Sequence, residues 1–153
     1  MLSKITSATV GLLAACASAA TLAMPATANA ATEAASTQTF KNVATGFCLD
    51  SNANRDVYTL GCNGGSYQKW VVSSSGGSVV LKDLATGFCL DSNANRNVYT
   101  LGCNGGSYQK WVVSRSGPGT TFKNLATGFC LDSNANRDVY TLGCNGGSYQ
   151  KWS

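Results

Sequence analysis

The sequence predicts an all-β domain in which three copies of one four-stranded unit close on themselves. Seventeen glycines against two prolines, in a chain rich in Ser, Thr and Asn, point to short strands joined by many tight turns. Aligned with itself at a shift of 41 residues, the chain superposes Cys48, Cys89 and Cys130, and likewise Trp70, Trp111 and Trp152. Six of the seven cysteines fall into three equally spaced pairs. With 153 residues, 44% hydrophobic and 12% charged, the chain suits one small globular domain with a modest core.

The repeat is nearly perfect. Residues 44–70 recur as 126–152 without change, and the middle copy differs only by Asn97 in place of Asp56 and Asp138. Within the first unit the strands are expected at residues 39–43, 47–50, 57–62 and 68–72. Turns are expected at 44–46, 52–55, 63–66 and 73–78, where Gly, Asn and Ser cluster. The repeats run 40–80, 81–121 and 122–153. Twelve strands in a closed structure fit better than a solenoid, whose two ends would stay open without capping repeats.

The equal spacing favours pairing inside each repeat: Cys48 with Cys62, Cys89 with Cys103, and Cys130 with Cys144. A bridge closing about 15 residues contributes on the order of 3 kcal/mol in the chain-entropy model. A zinc site is the alternative, but the chain has no C-x-x-C spacing and no histidine. If Cys48 faces Cys62 across a hairpin, Asp50 lies opposite Leu60 and Asn52 opposite Tyr58. Alternation then puts Cys48, Asp50, Tyr58, Leu60 and Cys62 on one side, gathering a carboxylate, an aromatic ring and an apolar patch.

At the N-terminus, Lys4 precedes an Ala-, Leu- and Val-rich stretch, and Ala28-Asn29-Ala30 has the small-x-small pattern of a cleavage site. Residues 1–30 therefore read as a secretory signal peptide, followed by a short linker at 31–36 and the domain at 37–153. The stretch is too interrupted for a membrane span. Leu13-Ala14-Ala15-Cys16 also resembles a lipobox, so a lipoprotein anchored at Cys16 is the lesser alternative to soluble secretion. Cleavage leaves ten basic against seven acidic residues, spread without the basic run that nucleic acid requires.

Gly46-Phe47-Cys48-Leu49-Asp50, Val57-Tyr58-Thr59-Leu60, Asn63-Gly64-Gly65 and Gln68-Lys69-Trp70 together resemble the ricin-type β-trefoil lectins. Their Q-x-W signature occurs three times in register, at Gln68/Trp70, Gln109/Trp111 and Gln150/Trp152. The resemblance implies a β-trefoil with pseudo-threefold symmetry. More narrowly, L-D-S-N, V-Y-T-L and N-G-G-x-Y-Q-K-W are similar to the actinohivin group, which binds mannose-rich glycans. Position by position, that resemblance implies sugar sites at Asp50, Tyr58, Asn63 and Tyr67; at Asp91, Tyr99, Asn104 and Tyr108; and at Asp132, Tyr140, Asn145 and Tyr149. Ala53 and Arg55 depart from it, standing where that group mostly has an aromatic and a small residue.

The chemistry of these residues suits the role. A carboxylate accepts hydrogen bonds from adjacent sugar hydroxyls, Asn63 adds a donor and an acceptor, and a tyrosine ring lies against the C–H face of a pyranose. Each residue also has a structural reading: Asp50 as a turn cap, Asn63 as a left-handed turn residue, Tyr67 as a core-edge ring. Trp70, Trp111 and Trp152 read as core, Gln68 as an amide satisfying nearby backbone, and Arg55 as solvated. A glycosidase needs two flanking carboxylates, which the Asn97 replacement breaks, and no histidine supplies a general base. The expectation is therefore a monomeric secreted lectin, not an enzyme, with no cofactor and no metal, whose partners are glycans. The alternatives are a module for galactose- or xylose-type polysaccharides and a trefoil protease inhibitor.

Overall fold

The computed structural model describes residues 35–153. The predicted signal peptide, the lipobox at Cys16 and most of the linker lie outside these residues. The strands are β1 (Ser36–Gln38), β2 (Cys48–Ser51), β3 (Val57–Leu60), β4 (Trp70–Ser75), β5 (Ser78–Asp83), β6 (Cys89–Ser92), β7 (Val98–Leu101), β8 (Trp111–Ser116), β9 (Gly119–Asn124), β10 (Cys130–Ser133) and β11 (Val139–Leu142). A twelfth position is marked by Trp152, which bridges Asn42 and Thr120. The result is a β-trefoil. Among the described residues no helix is long and apolar enough to cross a membrane.

Each repeat contributes one tight hairpin: β2 with β3, β6 with β7, β10 with β11. The hairpins are tied to one another in a ring, through bridges Asp56↔Tyr99, Asn97↔Tyr140 and Tyr58↔Asp138. The same ring carries backbone bonds from the Thr100 N–H to the Arg55 carbonyl, Thr141 to Arg96, and Thr59 to Arg137, each 2.9 Å. Chain closure comes from the ends: Lys41 and Ser153 exchange both N–H···O bonds at 2.8 Å. In the middle of the chain, the β4–β5 and β8–β9 hairpins make the equivalent joints.

Inward-facing residues alternate along every hairpin strand, so Leu49, Val57 and their counterparts meet the three tryptophans in one core. All three indoles are fully buried, and each satisfies its N–H internally, Trp70 Nε1 donating to the Leu49 carbonyl at 3.2 Å. The disulfides join Cys48 to Cys62, Cys89 to Cys103 and Cys130 to Cys144, with Cα atoms 5.0 to 5.1 Å apart.

Several expected boundaries move. The first strand forms at Ser36–Gln38 and continues only as single bridges at Lys41 and Asn42. Gln68 belongs to a 3-10 turn, Ser66–Gln68, and the fourth strand starts at Trp70 and runs on to Ser75 before turning at Gly76-Gly77. The hairpin register is two residues away from the expected one: Cys48 faces Leu60, and Asp50 faces Tyr58. Cys62 lies beyond the end of β3, so the disulfide crosses the hairpin diagonally. A two-residue shift preserves the facing of every side chain.

Arg55 is not simply solvated. It sits at φ +73°, in the left-handed region, and its guanidinium lies 5.3 Å from the centroid of Phe88 in the next repeat. Arg96 over Phe129 and Arg137 over Phe47 complete the circle at 5.2 Å. At an exposed site such a contact contributes about 0.5 to 1 kcal/mol.

One position breaks the symmetry of the core. Asn42 and Asn124 donate their side-chain amides to the carbonyls of Tyr149 and Tyr108 at 2.8 Å. Their counterpart Asp83 has no such donor, and its Oδ2 is buried without a partner. Asp83→Asn is expected to stabilise the fold by about 1 to 3 kcal/mol, read as a higher urea midpoint with unchanged slope; an unchanged or lower midpoint contradicts this. Trp70→Ala, by contrast, is expected to cost about 3 to 5 kcal/mol. Unchanged melting of that variant would show that the indole is not the core residue its burial indicates.

Candidate functional site

Each hairpin, together with the turn that follows it, encloses a shallow concavity of about 470 Å³, and the three are equivalent by the repeat. In the first, the residues singled out from sequence, Asp50, Tyr58, Asn63 and Tyr67, all line the same wall. Asp91, Tyr99, Asn104 and Tyr108 do so in the second, and Asp132, Tyr140, Asn145 and Tyr149 in the third. The volume lies at the lower end of the range for small-ligand pockets, about 300 to 1,000 Å³.

The carboxylate forms the floor. Asp50 is 3% exposed, and its Oδ2 accepts a 2.8 Å hydrogen bond from Gln68 Nε2. Gln68 is itself fixed on both ends of its amide: Nε2 also donates to the Gly61 carbonyl at 3.1 Å, and Oε1 accepts from the Asn63 N–H at 2.8 Å. The expected backbone role of Gln68 is thus joined by one that sequence reasoning missed, the positioning of Asp50. The same bonds recur from Gln109 to Asp91 and from Gln150 to Asp132.

Burial pushes the Asp50 carboxyl above its ordinary range, against the opposing effects of the Gln68 amide and the Ser51 N–H, with the Asp83 charge pushing further up. Burial likewise raises Asp91 and Asp132. With few protein donors on each carboxylate, lone pairs remain for a ligand. The Ser51 N–H bond keeps part of the turn-cap reading of Asp50, while the turn beyond it is held by Asn52, which accepts from the Asp56 N–H at 3.0 Å.

The rest of the site is aromatic and amide. Tyr58 is half-buried, with its hydroxyl 3.4 Å from the Ser51 carbonyl, whereas Tyr67 is 41% exposed and stands as an open rim, not a core edge. The phenol of Tyr58 is raised by burial first, and then by Asp50, Asp56 and Tyr67. Asn63 uses its Oδ1 to accept from the Gly65 N–H at 2.8 Å, and Gly64 beside it takes the left-handed conformation at φ +70°. Its Nδ2 is left without a protein partner among the described residues. Leu60, expected on the same face as Asp50 and Tyr58, and Ala53, noted as a departure from the resemblance, also line it, whereas Ser51, Asn52, Asn54 and Gly65 complete the lining and were not foreseen. No local signal separates them from ordinary turn residues.

The second site is not a copy of the others. Asn52 and Asn134 donate Nδ2 to the carboxylates of Asp56 and Asp138 at 3.0 and 2.9 Å. With Asn97 in that position Asn93 makes no such bond; its Oδ1 keeps the bond from the Asn97 N–H that the other two repeats also have and accepts in addition from the Asn95 N–H.

Comparison with known proteins agrees with this architecture. The solved structures that resemble the chain include the designed threefold-symmetric protein ThreeFoil, at 23% identity and a TM-score of 0.70, aligned over 76% of this chain and 95% of that one. The hemolytic lectin CEL-III matches at 22% identity and a TM-score of 0.66, over 76% of this chain but 29% of its own. A GlcNAcα1-4Gal releasing endo-β-galactosidase from Clostridium perfringens matches at 18% identity and a TM-score of 0.70, over 76% of this chain and 31% of its own. At such identities these likenesses speak for the fold alone. Residues 36–152, however, match the ricin-type beta-trefoil lectin domain as a sequence family, and the chain belongs to that family.

Proposed function

We propose that the protein is a secreted lectin that binds saccharides at up to three sites, and that it does no catalysis of its own. The observation that carries this reading is the threefold recurrence of a buried carboxylate, held by a fixed glutamine amide, facing an exposed tyrosine and a free asparagine amide. A saccharide hydroxyl donates to Asp50, another accepts from Asn63 Nδ2, and the ring face rests on Tyr67. Each charge-assisted hydrogen bond contributes roughly 1.5 to 3 kcal/mol, and the ring contact about 0.5 to 1.5 kcal/mol. A glycosidase is disfavoured because the second carboxylate of the hairpin, Asp56, is held by Asn52 and is replaced by Asn97 in the second repeat. A protease inhibitor is disfavoured because the distinctive residues lie in concavities, not on one protruding loop. Mannose-rich glycans are the proposed ligands, on the resemblance to the actinohivin group. Three disulfides suit an oxidising compartment outside the cytoplasm.

One such shallow site is expected to bind with a Kd of about 0.1 to 1 mM. Three on one rigid domain raise avidity for clustered glycans by about 10² to 10⁴ where the geometry permits. Replacing Asp50, Asp91 and Asp132 by Asn, one at a time, removes a charge but keeps an acceptor for the glutamine. Calorimetry should show the number of sites falling stepwise, with binding to a dense glycan surface weakening at each step and melting unchanged. A single substitution that abolishes all binding refutes trivalence; a triple variant that binds as before refutes the site.

Acidification supplies a separate test. A carboxyl whose folded-state pKa is raised favours the folded protein when protonated, so these three groups add stability as pH falls through their titration. Binding to the carboxylate moves the other way and is lost over the same interval. Glycan binding is therefore expected to fade above the ordinary carboxylate range while circular dichroism still reports a folded protein. Binding that holds down to the point of unfolding excludes an ionised aspartate as the ligand group.

A further inference from the structure

A second kind of concavity lies behind the third site. Its wall is the Cys130–Cys144 disulfide and Gly146, its volume is about 360 Å³, and its polar lining is Ser114, Ser116, Thr121, Lys123 and Lys151. No acidic residue lines it. Neither lysine has an ion-pair partner among the described residues, and no hydrogen bond occupies the three hydroxyls. One loop divides this groove from the third site: Cys144 and Gly146 face the groove, while Asn145 and Gly147 face the site.

The equivalent groove beside the second site provides an internal control. It is lined by a single lysine, Lys82, with Val80 where the other has Thr121 and with no contribution from Lys110. The difference traces to the stretch between the conserved segments, residues 71–84 and 112–125, where the repeats diverge most. Gly119 replaces Ser78, and a Cβ on Gly119 would stand 2.9 Å from the Lys151 Cβ. Glycine there admits the Lys151 side chain along the β8–β9 turn, and a Cβ on Gly117 would lie 3.9 Å from its Nζ. On the same stretch Arg115 stands in place of Ser74 and Asn124 in place of Asp83, so one position gains a positive charge and another loses a negative one.

We propose that the groove is an anion subsite, taking a sulfate or phosphate ester on a sugar residue next to the one seated against Asp132. The inference rests on the carbohydrate reading of that site. Two ammonium groups and three free hydroxyls match the several acceptor oxygens of a tetrahedral oxyanion. The neighbouring site supplies the saccharide carrying it. The third site thereby differs from the other two in preferring acidic glycans.

The test uses the oxidised, exported protein with assigned backbone amides. It is titrated with inorganic sulfate, inorganic phosphate, and a mannose disaccharide that is unmodified, 6-sulfated or 6-phosphorylated. Sulfate or phosphate alone should shift the amides of Gly146 and Lys151. The esterified disaccharides should bind the third site roughly threefold to tenfold more tightly than the neutral one, and the advantage should shrink at high salt. The two esters compared against each other identify which anion the groove prefers. A Lys123→Gln/Lys151→Gln variant with unchanged melting should lose the advantage while binding the neutral sugar as before. Equal affinity for neutral and esterified sugars, an advantage that survives the double substitution, or the same advantage at the second site would each overturn the proposal. If no disaccharide perturbs the amides around Asp132, the carbohydrate reading itself fails, and the ester subsite with it; the inorganic ions then report only whether the groove holds an anion.

Discussion

No repeat of this chain can satisfy its own backbone, and the rest of the structure follows from that constraint. The N–H of Thr59 bonds to Arg137 in the third repeat, that of Thr100 to Arg55 in the first, and that of Thr141 to Arg96 in the second. A single unit would leave these groups unpaired and its tryptophan half-covered, each a cost comparable with a sizeable part of a small domain's stability. Closure satisfies all three at once. The Arg–Phe contacts run the same way around the circle, and each ties the turn that lines one concavity to a phenylalanine of the following repeat.

The site inherits its rigidity from the same source. Asp50 is held by Gln68, Gln68 by Gly61 and the Asn63 N–H, and the next residue but one is the buried Trp70. A short path of hydrogen bonds therefore links the carboxylate at the floor of the concavity to the core. The Q-x-W signature marks this coupling: its glutamine orients the acceptor and its tryptophan anchors the glutamine. Burying a carboxylate on such a support costs solvation, which is why its pKa rises, but leaves an acceptor already held in one orientation.

Much of this was legible in the sequence. The 41-residue shift gave the three units, the equal cysteine spacing gave the bridges, and residue alternation placed Asp50 and Tyr58 on one face. What escaped was of a different kind. Alternation fixes which face a residue takes but not a slip of two, so the register was misjudged once Cys62 proved to lie beyond the strand. The links from Gln68 to Asp50 and from Arg55 to Phe88 join residues far apart in the chain, and no periodicity reports such contacts. The divergence between residues 71–84 and 112–125 was visible, but its meaning depended on seeing where Lys151 lies.

Near-identity of the repeats also bears on how the chain reaches its fold. Cys62 and Cys89 are about twice as far apart along the chain as Cys48 and Cys62, and doubling a loop costs only about 0.6 kcal/mol of closure entropy. Chain statistics alone therefore discriminate poorly between correct and crossed bridges. Nearly identical hairpin sequences, differing only at Asn97, add a second ambiguity, since each is close enough to fit the place of another. The discrimination falls to local order, because the β2–β3, β6–β7 and β10–β11 hairpins pair neighbouring segments and bring the right thiols within reach before the ring closes. Oxidation ahead of hairpin formation, or a high concentration of open chains, would favour scrambled bridges and hairpins exchanged between molecules.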